Sequence, residues 1–115
     1  MMVPKINRFH GHNSLNPVYR RGQSVSVSKI SLKYLIIKSD KKSRLAVVVS
    51  RKVDKSAVVR NRIRRRIYAT TRERYPDFKQ NADMILTIHN NGIATMKSGE
   101  LNDLIDQLLK KTELL

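Results

Sequence analysis

The sequence predicts an α+β fold, a two-layer sandwich of one sheet with helices against it, and three patterns carry that prediction. Residues 24–36 alternate with a period of two, Val25, Val27, Ile30, Leu32, Tyr34 and Ile36 being set against Ser31, Lys33 and Leu35, as strands do. Residues 56–75 and 98–111 repeat at three and four instead, through Val59, Ile63 and Ile67 and then through Leu101, Leu104, Ile105, Leu108 and Leu109. The short apolar runs LAVVVS (45–50) and ADMILTIH (82–89) have strand length and composition. The element order is therefore α-β-β-β-α-β-α.

At 115 residues the chain is long enough for one domain with a modest core. Residues 1–13, with Pro4, Gly11, Lys5 and Arg8, are expected to form a flexible basic N-terminal arm, and residues 14–115 the single folded domain. Asn13 or Ser14 is placed to cap a first helix that Gly22 closes, with Pro17 tolerable only in its first turn. The two strands of residues 24–36 follow, then a polar turn over 39–43. The run at 45–50 is apolar on both sides, which predicts a central strand. Ser56 caps the next helix, of about five turns, and Pro76 ends it. Asn90, Asn91 and Gly92 mark a turn after the last strand. Ser98 caps the final helix, which has acids early (Glu100, Asp103) and Lys110 and Lys111 late, as the helix dipole favours.

Charge is the second organising feature. The net charge is +15, and residues 41–75 alone carry 13 basic against 2 acidic side chains, whereas residues 76–115 are slightly acidic. On the helix at 56–75, Val59, Ile63, Ile67 and Thr70 form an apolar stripe. Arg60, Asn61, Arg64, Arg65, Tyr68 and Arg72 share another arc, and Arg62 and Arg66 flank the stripe. A solvated charged face is normally knitted by opposite charges at i, i+4, but here that spacing joins Arg60 to Arg64 and Arg62 to Arg66, with only Glu73 nearby as relief. Such a face suits a phosphate-rich partner, whose oxygens match the planar fork of arginine.

Catalytic chemistry is thin by comparison. Cysteine is absent, which removes disulfides, thiolate ligands and thiol nucleophiles and suits a reducing, cytoplasmic setting. His10 and His12 lack a third ligand nearby, and His89 has no neighbouring carboxylate to orient it. Asp77 and Asp83 read as turn and strand-start residues, and the four glycines form no phosphate loop. No catalytic or metal site is expected, and no stretch has the length and apolarity of a membrane span. Tyr19 and Tyr34 offer faces on which an unpaired base could stack, core packing being the alternative for both.

The segment AVVRNRIRR, with Ala57, Val58, Arg60, Asn61, Arg62 and Arg65, resembles the RNR motif of the bacterial ribonuclease P protein component. Arg8-Phe9, the run Val18-Tyr19-Arg20-Arg21-Gly22, the two strands, VVVSRKV and the strand before a leucine-rich helix stand in the same order, so the resemblance covers nearly the whole chain. It implies a ribosomal protein S5 domain 2-like fold, with a four-stranded sheet in which the arginine helix joins two parallel central strands by a left-handed crossover. That hand is contrary to the usual preference. It also implies a ribonuclease P RNA partner, one protein per RNA, and precursor tRNA as substrate, with hydrolysis by the RNA and its Mg²⁺. By position, Arg51, Lys52, Arg60, Asn61, Arg62, Arg64 and Arg65 would contact the catalytic RNA. Tyr19, Tyr34, Leu15 and Tyr68 would line a cleft for the single-stranded 5′ leader. Two positions depart from the family pattern: Leu15 stands at an aromatic position, and Asp54 stands where many relatives carry glycine or a neutral residue. Phe9 and His10 of the arm are expected to offset the first departure.

Three other readings fit parts of the pattern. A ribosomal protein or assembly factor would use the same phosphate contacts. A DNA binder with the helix in the major groove fits less well, because arginines on two faces suit a folded RNA better than base-edge readout. A protein-only nuclease would need an acid cluster for metal ions.

Overall fold

The computed structural model describes residues 12–37 and 42–115. The elements are α1 (His12–Arg21), β1 (Gln23–Val27), β2 (Ile30–Ile36), β3 (Arg44–Val48), α2 (Ala57–Arg72), β4 (Ala82–Ile88) and α3 (Ser98–Lys110), in the expected order. Short 3-10 turns at Tyr75–Asp77 and Asn91–Ala94 follow α2 and β4. Of the expected arm only His12 and Asn13, which begin α1, are described, so Phe9 and His10 lie outside the described residues, as does most of the turn expected over 39–43.

One sheet holds all four strands in the order β1-β2-β4-β3. β1 and β2, and β2 and β4, pair antiparallel, while β3 and β4 run parallel and are joined through α2. Ser28 and Lys29 alone turn β1 into β2, and Ser28 takes the positive φ of 48° that so tight a hairpin demands.

The alternation read from the sequence assigns the faces. On one face Ile30, Leu32, Tyr34, Leu45, Val47, Met84, Leu86 and Ile88 meet Ile63 and Ile67 of α2 and Leu101, Ile105 and Leu108 of α3 in the main core. On the other face α1 crosses the sheet, setting Val18 against Ala46 and Ile85 with Leu15, Leu35 and Val48 around them. Ser31, Lys33 and Thr87 share this second face, which α1 only partly covers.

Several expectations need correction. The run at 45–50 is the edge strand β3, not a central one, so the parallel pair has one central member, β4. Helices on both faces, rather than a strand on each side, bury Leu45, Ala46 and Val47, and that imitates the apolar signature of a central strand. Pro17 lies at the sixth residue of α1, beyond the first turn, and so removes a helical donor. The fully buried Val18 beside it anchors the helix nonetheless. Lys97 rather than Ser98 takes the N-cap position of α3 and makes no side-chain cap bond.

α2 is 16 residues long, about 24 Å at 1.5 Å per residue. The Ser56 hydroxyl accepts the Val59 N–H at 3.3 Å, as its N-cap position predicts. The buried row is Ile63, Ile67 and Thr71: it keeps the four-residue step, so Thr71 rather than Thr70 faces the core. The helix ends at Arg72 with Glu73 as C-cap, a little earlier than the sequence suggests, and gives way to the tighter turn that carries Pro76.

Gly22 has a specific reason to be glycine. Its N–H closes α1 on the Val18 carbonyl at 2.8 Å, and a Cβ there would lie 2.4 Å from that oxygen and 2.9 Å from the Tyr34 carbonyl oxygen. Both obstacles are backbone. Gly22→Ala is expected to cost about 1–3 kcal/mol, the range for overpacking, read as a lower midpoint in denaturant. An unchanged midpoint would mean that α1 and β2 move apart without cost.

Candidate nucleic-acid interface

The structure sorts the basic side chains of α2 and its flanks into three groups. Arg66 and Arg74 hold the fold together. Arg66 donates to the carbonyls of Ile93 and Met96 in the segment after β4. Arg74 ties the exit of α2 to α3 through Asp106 at 2.7 Å and also donates to the Thr70 carbonyl at 2.7 Å, with Glu73 at 3.5 Å. The Arg74 guanidinium in turn holds the Asp106 carboxyl below the usual carboxylate range.

The second group runs along the open edge of β3. Arg64 donates to the Val49 carbonyl at 3.2 Å and to Asn61 Oδ1 at 2.8 Å, while the Val47 N–H donates to the Tyr68 hydroxyl at 3.3 Å. Arg60 donates to the carbonyls of Asp54 and Lys55, each at 3.0 Å, and so braces the loop before the helix. These bonds resolve the like-charge spacing. In each i, i+4 pair at least one guanidinium sits on carbonyl oxygens, whose partial negative charge offsets repulsion that the sequence alone leaves unrelieved.

The third group points outward. Arg51, Lys52, Lys55, Asn61, Arg62 and Arg65 are exposed, and among the described residues Arg51, Lys52, Arg62 and Arg65 have no bonded partner. Arg51, Lys52, Lys55, Ala57 and Arg60 line an open hollow of about 590 Å³ at the start of α2. Val58 stands beside this surface at 68% exposure. Its exposure follows from its place off the apolar stripe of Val59, Ile63 and Ile67.

The four residues expected to line a leader cleft do not come together. Leu15 and Tyr19 lie on α1 at the partly covered sheet face, Tyr19 at 44% exposure with Lys33 Nζ 5.6 Å from its ring centroid. Tyr34 is on the opposite face, 2% exposed, its hydroxyl donating to Gln23 Oε1 at 2.9 Å. It shares the parity of Ile30, Leu32 and Ile36 in β2, and that parity puts it in the core. Tyr68 is half-buried against the same core with its hydroxyl engaged at the edge of β3. In their place the open face presents Lys33, which also reaches the Tyr19 carbonyl at 3.4 Å, and the bonded pair Ser31 and His89 at 2.9 Å. Lys33 and Ser31 were legible as the polar phase of the alternation.

The acids of the region are engaged internally. The buried Asp83 accepts a two-pronged bond from Arg44 at 2.8 and 2.9 Å, which raises the Arg44 pKa above its ordinary value. Among the described residues no group of three His, Asp or Glu side chains gathers as metal ligands, and no helix is long and apolar enough to cross a membrane.

The family model for ribonuclease P matches residues 3–113. The chain belongs to the ribonuclease P protein family. It is 34% identical to the ribonuclease P protein component of Rippkaea orientalis over 96 residues, 79% of this chain and 75% of that protein. With the ribonuclease P protein component of a Pseudanabaena species it shares 30% identity over 115 residues, 99% and 97% of the two chains. Among solved structures, a Staphylococcus aureus RNase P protein mutant with defective mRNA degradation activity superposes with a TM-score of 0.82 at 22% identity, covering 96% of this chain and 92% of that one. The RNase P protein of Thermotoga maritima gives 0.78 at 19% identity, with coverages of 93% and 98%. At those identities the structures share the fold. As a ribonuclease P protein component the chain is a subunit of a tRNA-processing ribonucleoprotein.

Proposed function

We propose that the outward face of α2 and the loop before it bind the RNA of ribonuclease P, one protein to each RNA. The partly covered sheet face beside α1 then holds the single-stranded 5′ leader of precursor tRNA while the leader is removed. The observation that carries this reading is the division of labour on α2. Arg60, Arg64, Arg66 and Arg74 are engaged within the fold, whereas Arg51, Lys52, Arg62 and Arg65 on the adjoining surface have no partner among the described residues. Four concentrated charges without internal counterparts are suited to phosphates, which position a folded RNA without reading its bases.

The leader site rests on Tyr19 and Lys33. An exposed ring with a cation over one face leaves the other face for a base, and the lysine adds backbone attraction. Hydrolysis is assigned to the RNA and its Mg²⁺. The acids around the basic face do not fit a metal site, since Asp83 is bonded to Arg44, Asp106 to Arg74, and Asp54 to Ser56 and Asn91.

Cleavage of a precursor tRNA by a bacterial ribonuclease P RNA at low Mg²⁺, with and without this protein, tests the reading. Stimulation only when RNA and protein are both present is the expected result. Cleavage by the protein alone would overturn the assignment of chemistry to RNA, and RNA binding without stimulation would favour a ribosomal RNA partner. In the same assay Tyr19→Ala is expected to weaken leader binding by about 1–3 kcal/mol for one stacked base, while Tyr34→Phe leaves it unchanged. Equal effects of the two would remove Tyr19 from the leader site.

A further inference from the structure

Asp54 is one of two acids in the segment with net charge +11, and it sits in the loop that presents Arg51, Lys52 and Lys55. By charge alone an acid there opposes a phosphate partner. Its geometry points the other way. Oδ1 accepts the Ser56 N–H at 2.8 Å, and Oδ2 accepts Asn91 Nδ2 at 3.2 Å. The carbonyls of Asp54 and Lys55 take Arg60 Nη1 at 3.0 Å each, and Val53, packed on the core, donates its N–H to the Ser50 carbonyl at 3.0 Å.

Asn91 is fixed in its turn. The Asn90 side chain accepts the Gly92 N–H at 2.7 Å, and Arg66 reaches from α2 to the carbonyls of Ile93 and Met96 just beyond. Asp54 therefore joins three segments: the loop before α2, the first turn of α2, and the turn after β4. Both carboxylate oxygens are used within the fold, beside a helix N-terminus that favours negative charge.

We propose that Asp54 is a positioning residue of the RNA-binding loop, its two side-chain oxygens locking the loop that carries Arg51, Lys52 and Lys55 into place, so that through its hydrogen bonds, and despite its charge, it strengthens RNA binding. A loop ordered before RNA arrives forfeits less freedom when it binds. Three long cations held at fixed spacing also neutralise phosphates together rather than singly. The inference rests on the reading that this face binds RNA and adds how the face is organised.

The sign of the effect separates geometry from charge. Asp54→Ala and Asp54→Asn each raise the net charge by one, but only the asparagine keeps an oxygen for the Ser56 N–H, and the Asn91 amide can turn over to meet it. Asn91→Ala opens one side of the lock without changing charge. The full-length chain is titrated with ribonuclease P RNA over a series of salt concentrations, and melting curves are recorded alongside.

Asp54→Ala is expected to bind about fivefold more weakly, with a salt slope shallower by about one unit, as for the loss of one phosphate contact. Asn91→Ala should weaken binding about twofold or more by loosening the same loop. Asp54→Asn should bind at least as tightly as the parent. Tighter binding by Asp54→Ala and Asp54→Asn to the same degree would overturn the proposal, because charge alone would then explain both. Should Asp54→Ala fail to fold, Asn91→Ala decides: unchanged affinity and slope overturn the proposal. A parent chain that shows no salt-dependent binding would overturn the RNA reading itself, and this inference with it.

Discussion

Replacing Arg51, Lys52, Arg62 and Arg65 together with alanine is expected to leave the chain folded and to lower its RNA affinity by about two to three orders of magnitude at near-physiological salt. All four side chains are exposed and have no bonded partner among the described residues, so their removal breaks no hydrogen bond or ion pair among them. It also relieves self-repulsion, and the melting temperature should hold or rise. Each phosphate contact contributes about 0.7 to 0.9 units of log–log salt slope, so four losses flatten the slope by about three units. The contrast is Arg66→Ala, whose guanidinium sits on the carbonyls of Ile93 and Met96. That variant should lose stability and keep its slope. A quadruple variant with an unchanged slope would place the RNA elsewhere on the molecule.

Ile63→Ala is expected to cost about 2–5 kcal/mol, the range for truncating a fully buried isoleucine. Ile63 is 0% exposed in the main core and belongs to the row that docks α2 on the sheet. Against a total stability of about 5–15 kcal/mol for a domain of ordinary stability, that is a large share, and the charge density of residues 41–75 already opposes compaction. The variant should melt far earlier than the parent and regain helical signal when RNA is added. Saturation at a hundredfold excess over the dissociation constant contributes about 2.7 kcal/mol to the folded state. Circular dichroism with and without RNA reads both effects. Parent-like melting without RNA would mean that α2 is held by its arginine bonds more than by its apolar row.

The parts of this molecule that were legible in the sequence are those set by near neighbours. Ser56 caps α2 through a residue three away, Ile63 and Ile67 fall on a periodic stripe, and Gly22 closes α1 on Val18. Tyr34 was legible too, by its parity with Ile30 and Leu32, although the family pattern pointed to the cleft. The partners of Arg66 and Arg74 were not, because Ile93, Met96 and Asp106 lie about thirty residues away, and carbonyl acceptors leave no mark in a sequence. Arg60 shows that even local bonds escape notice when the acceptors are backbone. The position of β3 was hidden for another reason: burial by helices and burial by neighbouring strands select the same residues, so composition reports dryness and not sheet order.

The edge of β3 has a consequence for how the molecules behave towards one another. An exposed strand edge offers N–H and C=O groups as a template on which a strand from another molecule can add, the usual first step of aggregation. Here the Val47 N–H is bonded to the Tyr68 hydroxyl and the Val49 carbonyl to Arg64, so the chain's own helix occupies part of that template. At the opposite edge Lys111 covers the Ser26 carbonyl of β1 at 3.0 Å. The docked helix is thus a guard against self-association, and a chain that loses its grip on α2 opens a sticky border at the moment its hydrophobic core is bared.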